Sequence, residues 1–350
     1  MDEVWSERNT SPAKIEAALR RIVSEHYHSD HPFVPARVLN VVAIVDAEFR
    51  GEIENRFERV GRYHPSRLVL CCVEHGRDEI DAWAGVGTDD AHPVPGHIAV
   101  ARERVEIEIG PRHLSKLDTI VDPLLVSDLA TMVWAPHGHD EAIDALRRLA
   151  QIVLVDTQDE PDVARSLARV EDLSQQAYVV DLAWLRSTPW RERVAAAFDP
   201  PHLRASLSGV SAVTVRHRED SLAAAMLFCG WLSSRLGWKP GPLSRSDRYL
   251  TGHARGRRQE VRIQLQPAIQ DAPGLAGVTV ETAAGESVSL DRGPGGLKAV
   301  RRARDGSVQT WTVLGASRGE GGILGEGVRQ ALLRDPTYRP ALSCAQVFAQ

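Results

Sequence analysis

The sequence predicts an α/β protein: a mainly parallel sheet with flanking helices in its N-terminal part, followed by an α+β domain with an antiparallel sheet. Three observations predict this. Apolar segments of strand length alternate with helical patterns between residues 37 and 173. Most of these segments are continuously apolar, as strands buried on both faces require. After about residue 200 the strands follow one another, separated only by turn residues, which is the α+β pattern. The expected division is 1–34, an N-terminal helix and linker; 35–200, the α/β domain; and 201–350, the α+β domain.

The elements follow in order. Ser11-Pro12 opens a helix, because serine accepts from orphan backbone N–H groups and proline at the first helical position loses nothing. Ile15, Leu19, Ile22 and Val23 form its apolar face, and it fades at the polar stretch from His26 to Asp30. Pro32 and Pro35 mark an extended linker. Strands are expected at Arg37–Asp46, Arg67–Glu74, Glu103–Ile109, Thr131–Ala135 and Gln151–Asp156. Of these, Glu103–Ile109 alone alternates, with Val105, Ile107 and Ile109 against Glu106 and Glu108, and reads as a half-exposed edge strand. Helical patterns occupy 50–62, 140–149 and 161–173.

Beyond residue 200, Val210–Val215 reads as a short strand. Asp220 or Ser221 caps a helix that runs to Leu236 and is apolar nearly all round from Leu222 to Leu232, so it belongs at the centre of a core, with Leu227 and Trp231 almost fully buried. Gly237 suits the left-handed position after the helix, Trp238 packs back on the last turn, and Pro240 prevents continuation. Strands are expected near 248–254, 260–266, 277–283, 286–291, 297–304 and 307–314, with closing helices near 321–333 and 340–348.

Composition excludes several functions. The chain has 350 residues, 43% hydrophobic and 25% charged, enough to bury a sizeable core without staples. Its net charge of −5 advertises no nucleic-acid binder. Four cysteines do not make a disulfide framework. Cys71 and Cys72 are adjacent on a strand and point to opposite faces, Cys229 is a small core residue, and Cys344 is the most accessible. The longest apolar stretch, Leu222 to Leu232, is too short to span a bilayer. The polar, acidic start MDEVWSERN predicts no signal peptide, so the expected location is the cytoplasm.

The common cofactor and nucleophile signatures are missing. The first long strand runs into Asp46-Ala47-Glu48-Phe49-Arg50-Gly51, where a dinucleotide site needs G-x-G-x-x-G; there is no phosphate loop with its lysine and no G-x-S-x-G elbow. No catalytic residue, cofactor or metal is therefore assigned. Asp46 and Asp156 each end a buried strand, where open α/β sheets place their ligand crevice. They either line such a crevice or cap the following turn. His26, His28 and His31, and likewise His137 and His139, lack a third convergent ligand and read as solvated. The glycine-rich run Gly315–Gly327 has the strand–loop–helix order of an anion site but not its lysine, and reads as a mobile loop.

Arginine is the most telling residue. Arg245, Arg248, Arg255, Arg257, Arg258 and Arg262 meet only Asp247 and Glu260 in the same stretch, and Arg301, Arg302 and Arg304 form a second cluster. They make either a solvated sheet face or a face that docks on an acidic protein, where arginine forks are favoured. His64 and Arg67 flank Pro65 at a strand entrance and are a second candidate contact, since an X-Pro turn presents its neighbours on a rigid frame.

Several landmarks stand out together: RVLNVVAIVD at Arg37–Asp46, HPSR at His64–Arg67, PLLVSDL at Pro123–Leu129 before Met132-Val133-Trp134, IVLVDT at Ile152–Thr157, Asp199-Pro200-Pro201, and GWLSSRLGW at Gly230–Trp238. Their succession resembles the OpcA family, the glucose-6-phosphate dehydrogenase assembly proteins, from about residue 30 to 240 and more weakly to the end. The resemblance implies a non-catalytic, two-domain protein without a cofactor. It would bind glucose-6-phosphate dehydrogenase and promote its assembly or activate it allosterically, within the oxidative pentose phosphate pathway.

The competing reading from the residues is a sugar-phosphate-binding α/β enzyme or sensor with a site at the Asp46/Asp156 edge. A nucleic-acid binder using the arginines is disfavoured by the acidic balance and the lack of RNP, KH or helix-turn-helix signatures. The expected partners are thus glucose-6-phosphate dehydrogenase, with no nucleic acid and no membrane.

Overall fold

The structure, a computed structural model, describes residues 3–27, 33–35, 37–61, 65–88, 99–158, 161–314 and 319–350. The chain begins with β1 (Glu3–Glu7), α1 (Pro12–Tyr27), β2 (Phe33–Pro35), β3 (Leu39–Asp46), α2 (Arg50–Gly61), β4 (Ser66–Val73), β5 (Asp81–Thr88) and β6 (Ala99–Ile109). It continues through α3 (Leu117–Val121), β7 (Thr131–Trp134), α4 (Asp140–Leu146), β8 (Ile152–Val155), α5 (Val163–Ser174), β9 (Tyr178–Asp181), α6 (Leu182–Arg186), α7 (Thr188–Phe198) and α8 (Pro201–Arg204). Then come β10 (Val210–His217), α9 (Leu222–Leu236), β11 (Lys239–Pro240), β12 (Ser244–Ser246), β13 (Tyr249–Arg255), β14 (Glu260–Pro267) and β15 (Leu275–Thr282). The last elements are β16 (Ser287–Gly293), β17 (Gly296–Arg302), β18 (Val308–Leu314), α10 (Gly319–Leu333) and α11 (Tyr338–Phe348). Two compact units result: Met1–Val155 with Gln176–Val180 and Leu324–Leu333, and Asp156–Gln175 with Asp181–Ile323 and Arg334–Gln350.

The first unit holds a sheet of order β1-β5-β6-β4-β3-β7-β8-β9, with β2 also on β6. The pairs β3–β4, β4–β6, β3–β7 and β7–β8 are parallel, and β1–β5 and β5–β6 antiparallel. Val41 through Val45 are buried without a break, and so are Leu68 through Val73, because strands covered on both faces have no solvent side to leave polar. Helix α2 buries Ile53 and Phe57, and Phe57 meets the indole of Trp134 edge-on at 5.6 Å.

The expectation that Glu103–Ile109 is an edge strand is corrected. As β6 it lies between β4 and β5. Its alternation is real, but arginines rather than water cover its glutamates. Glu106 is buried against Arg50 and Arg104, and Glu108 pairs with Arg50 at 3.1 Å and Arg77 at 2.9 Å. The strands β1 and β5 escaped sequence reading. β5 (DAWAGVGT) carries two glycines, which weaken a strand pattern, although Ala82, Ala84 and Val86 are buried.

The second unit's sheet runs β11-β13-β14-β10-β15-β16-β17-β18, with β12 on β13. It is antiparallel except for the parallel pair β10–β14. Helix α9 forms the expected core: Ala223 through Cys229 are buried and Leu227 is wholly so. Trp231 corrects expectation, being only half-buried, with its ring tilted against Phe228 at 5.5 Å. Gly237 takes the left-handed conformation at φ 68°, and Trp238 is buried with its N–H donated to the Ser233 carbonyl at 2.9 Å. The Ser221 side chain does not cap α9. Its hydroxyl contacts Gln158 Oε1 at 3.0 Å and accepts from the Gly274 N–H at 2.9 Å. The expected glycine-rich loop is helical from Gly319 onward; its first four residues, like His28, His31 and His64, lie outside the described residues.

Candidate functional site

Three places bear on function, each built within one unit. The first is the carboxyl end of β3. Asp46 is followed by a tight turn, Ala47–Phe49, rather than a glycine loop. The segment after β7 turns back through Gly138 and His139, both at positive φ, so that His139 stands at the start of α4. Its Nε2 lies 3.2 Å from Asp46 Oδ1, and its side chain is 13% exposed. The His137 ring lies 4.0 Å from that of Phe49. Burial pushes the His137 imidazole below its ordinary pKa, against the pull of Glu52 and Asp46. The two histidines are therefore packed against the sheet end, not solvated as expected. Asp46 faces an imidazole of its own chain.

The second place is at Asp156, in the other unit. Asp156 meets Arg186 through two contacts, Oδ2–Nη2 at 2.6 Å and Oδ1–Nη1 at 2.8 Å, with both side chains almost buried. Next to it Asp181 is sealed in. It accepts from the Thr157 N–H at 3.2 Å, the Thr157 hydroxyl at 2.9 Å, the Ala183 N–H at 2.9 Å and the Tyr338 hydroxyl at 2.9 Å. Burial, and then the charge of Asp156, push its pKa up to about 6. Asp46 and Asp156 thus belong to different units, and each faces a basic side chain of its own unit, His139 and Arg186. Sequence reasoning missed Asp181 and Tyr338 because 157 residues separate them in the chain.

The third place is the surface of β12, β13 and β14. Arg245, Arg248, Arg255, Arg257 and Arg258 are all exposed. Arg255 stands opposite Glu260, and His253 opposite Arg262. Arg262 reaches Glu281 at 3.7 Å, and Arg258 donates to the Ser208 hydroxyl at 3.3 Å. Arg245, Arg248, Arg255 and Arg257 make no ion pair among the described residues, Arg255 included, although Glu260 stands across from it. Arg67 is different. It is an inward residue, 13% exposed, with Nε on Glu103 at 2.7 Å and Nη1 on the Leu124 carbonyl at 2.9 Å. Glu103 is wholly buried and also holds Arg37, so Arg67 is committed to the core of the first unit.

A further cleft of about 480 Å³ lies in the first unit between Arg50, Glu54, Trp83, Arg104 and Glu106. Its arginines are tied to its own carboxylates: Arg50 to Glu54 at 3.1 Å and to Glu106, Arg104 to Glu54 and Glu106. Burial raises the Glu106 pKa, and the two arginines oppose that rise.

Comparison with known proteins points one way. Residues 57–172 match the family model described as the glucose-6-phosphate dehydrogenase subunit N-terminal domain, and residues 177–342 match that of its C-terminal domain. A relative from Synechococcus elongatus, named as an OxPP cycle protein OpcA, is 31% identical over 207 residues, which is 57% of this chain and 45% of that protein. Its counterpart from Nostoc punctiforme is 34% identical over 131 residues, 36% of this chain and 28% of the relative. The matches thus span less than half the length of these relatives. Among solved structures, a probable oxidoreductase, yhhX, superposes with a TM-score of 0.50 at 12% identity, covering 89% of this chain and 94% of that one. At that identity the likeness is one of fold alone.

Proposed function

The chain belongs to the OpcA family of glucose-6-phosphate dehydrogenase assembly proteins, and from that premise we propose that it is a non-catalytic assembly factor and allosteric effector that binds and activates this enzyme in the cytoplasm. The observation that carries the reading is the match of both family domains in succession, over most of the chain. The chemistry of the three places supports it. At the end of β3 the sequence offers Ala47-Glu48-Phe49 where a phosphate cradle would need glycines, and the acid there faces His139. A carboxylate so placed repels a phosphate rather than binding it. Asp156 is matched by Arg186 in the same way.

The arginines of β12, β13 and β14 supply the docking chemistry. Arg245, Arg248, Arg255, Arg257 and Arg258 stand on a short stretch of sheet and its turns. Guanidinium forks without internal carboxylates suit an acidic protein surface. Among the described residues no helix is long and apolar enough to cross a membrane.

The test uses the dehydrogenase of the same organism. Sedimentation of the mixture gives a complex heavier than either protein, and the oxidation of glucose 6-phosphate with the chain present is faster than without it. A mixture that sediments as its separate components at tens of micromolar, with unchanged turnover, rejects the proposal.

A further inference from the structure

Strand β18 ends the second unit's sheet. It pairs with β17, and among the described residues no strand pairs with its other edge. Val308, Gln309, Thr310, Trp311 and Thr312 are all exposed, so both faces of the strand are open as well as its edge. Such a strand is a template for another chain, and proteins ordinarily blunt it with charge, proline or shortness. The other sheet ends here obey that rule. β11 is two residues long and ends in Pro240, β12 is three residues long with Arg245 at its centre, β1 has Glu3 and Glu7 at its ends, and β9 is four residues long and ends in Asp181. β18 is the exception: seven residues, VQTWTVL, without a charge or a proline. Valine, threonine and tryptophan favour the extended chain, yet Val308 remains 51% exposed and Trp311 37%.

We propose that β18 is an augmentation edge, to which an extended, carboxylate-bearing segment of the partner protein adds as a further strand. The inference rests on the assembly reading for the identity of that partner. Charge selects the occupant. Lys298 and Arg302 on β17 stand opposite Thr312 and Val308, on the same face as the exposed threonines. Arg304 lies in the turn between the two strands. All three cations are exposed and make no ion pair among the described residues; Asp291, opposite Lys298 on β16, is held by Arg216 at 2.8 Å. The one acid of the turn, Asp305, accepts from the Ser307 N–H at 2.9 Å. On the other face Arg301 holds the Ala197 carbonyl and lies 5.8 Å over the Trp311 ring. An incoming strand gains main-chain hydrogen bonds from the edge, and the cations choose an acidic sequence for it. A second copy of this chain would bring the same cations to the same face, which like-charge repulsion disfavours.

Residue-resolved amide hydrogen exchange reads the edge directly, on the chain alone and with saturating glucose-6-phosphate dehydrogenase. Alternate amides of an edge strand point outward. Alternate amides of β18 therefore exchange freely in the chain alone and slow by about tenfold or more in the complex. Thr310→Glu with Thr312→Glu, on exposed positions that leave melting unchanged, repels an acidic strand and weakens the complex on the order of tenfold. Thr310→Lys with Thr312→Lys does not weaken it. A complex that leaves β18 exchange unchanged overturns this proposal alone, and so does one indifferent to the glutamates. Absence of any complex overturns the assembly reading with it. Protection that grows with the chain's own concentration, without the dehydrogenase, assigns the edge to a second copy and overturns the acidic partner.

Discussion

Gly230 on α9 lies directly against the Ala341 carbonyl on α11. A Cβ built on Gly230 would overlap that oxygen and stand 3.0 Å from the Ala345 nitrogen. Ala341 and Ala345 are wholly buried, so the two helices touch backbone to backbone. The overlap is with main chain, which cannot rotate aside. Gly230→Ala therefore costs about 1–3 kcal/mol as an overpacked core, although alanine is the better helix former. Chemical denaturation checks this; a midpoint equal to or above that of the parent would contradict it.

That contact shows what kind of information the sequence carried. GWLSSRLGW is legible as a signature, and its physical content is structural: Gly230 for helix contact, Gly237 for the left-handed turn, Trp238 folded back on Ser233. The parallel sheet was legible because β3, β4, β7 and β8 are buried on both faces and leave unbroken apolar runs. The burial of Glu103 and Glu106 was not, because Arg67 and Arg50, which cover them, come from β4 and α2. Arg67 and Arg255 look alike in sequence; the structure turns one inward and the other outward. His139 reaches Asp46 through a positive-φ turn that no spacing rule reveals.

Asp181 sets a pH dependence. Its pKa in the folded protein, pushed up to about 6 by burial and by Asp156, exceeds its ordinary value of 3.8. The folded state therefore favours the protonated acid. The associated stability is full below about pH 4 and is lost as pH rises through about 6. Asp181→Asn keeps the shape and removes the titration. The variant should gain on the parent between pH 4 and 7, by on the order of 2–3 kcal/mol. Urea midpoints of both proteins across that range would show parallel curves if Asp181 did not titrate there.

The cysteines should be nearly inert in the native state. Cys71, Cys72 and Cys229 are buried, and burial pushes all three thiols up, Cys72 to about 12 with help from Glu106. Cys344 is partly accessible and is also raised by burial. The thiolate is the reactive form. Titration with a chromogenic disulfide at neutral pH should read at most one slow thiol in the native chain and all four in denaturant. Two or more rapid native thiols would contradict this burial.

The arginines can be sorted by two measurements. Arg67→Ala leaves the wholly buried Glu103 with Arg37 alone and removes the donor to the Leu124 carbonyl. Breaking a buried pair from one side costs about 3 kcal/mol, so this variant should melt earlier before any partner is added. Arg245, Arg248, Arg255 and Arg257 are exposed and make no ion pair among the described residues. Their alanine variants should stay within about 0.5 kcal/mol of the parent's stability. If they contact the partner, those at the centre of the interface weaken binding by ~1–3 kcal/mol and those at the rim by much less. Because such surfaces act at long range, association should slow as salt rises past about 0.15 M, where the Debye length falls to about 8 Å. Melting curves and association rates measured on the same five variants separate the two roles. Normal stability in Arg67→Ala would deny its structural role, and binding indifferent to the other four would remove the arginine strands from the interface while leaving the assembly function standing.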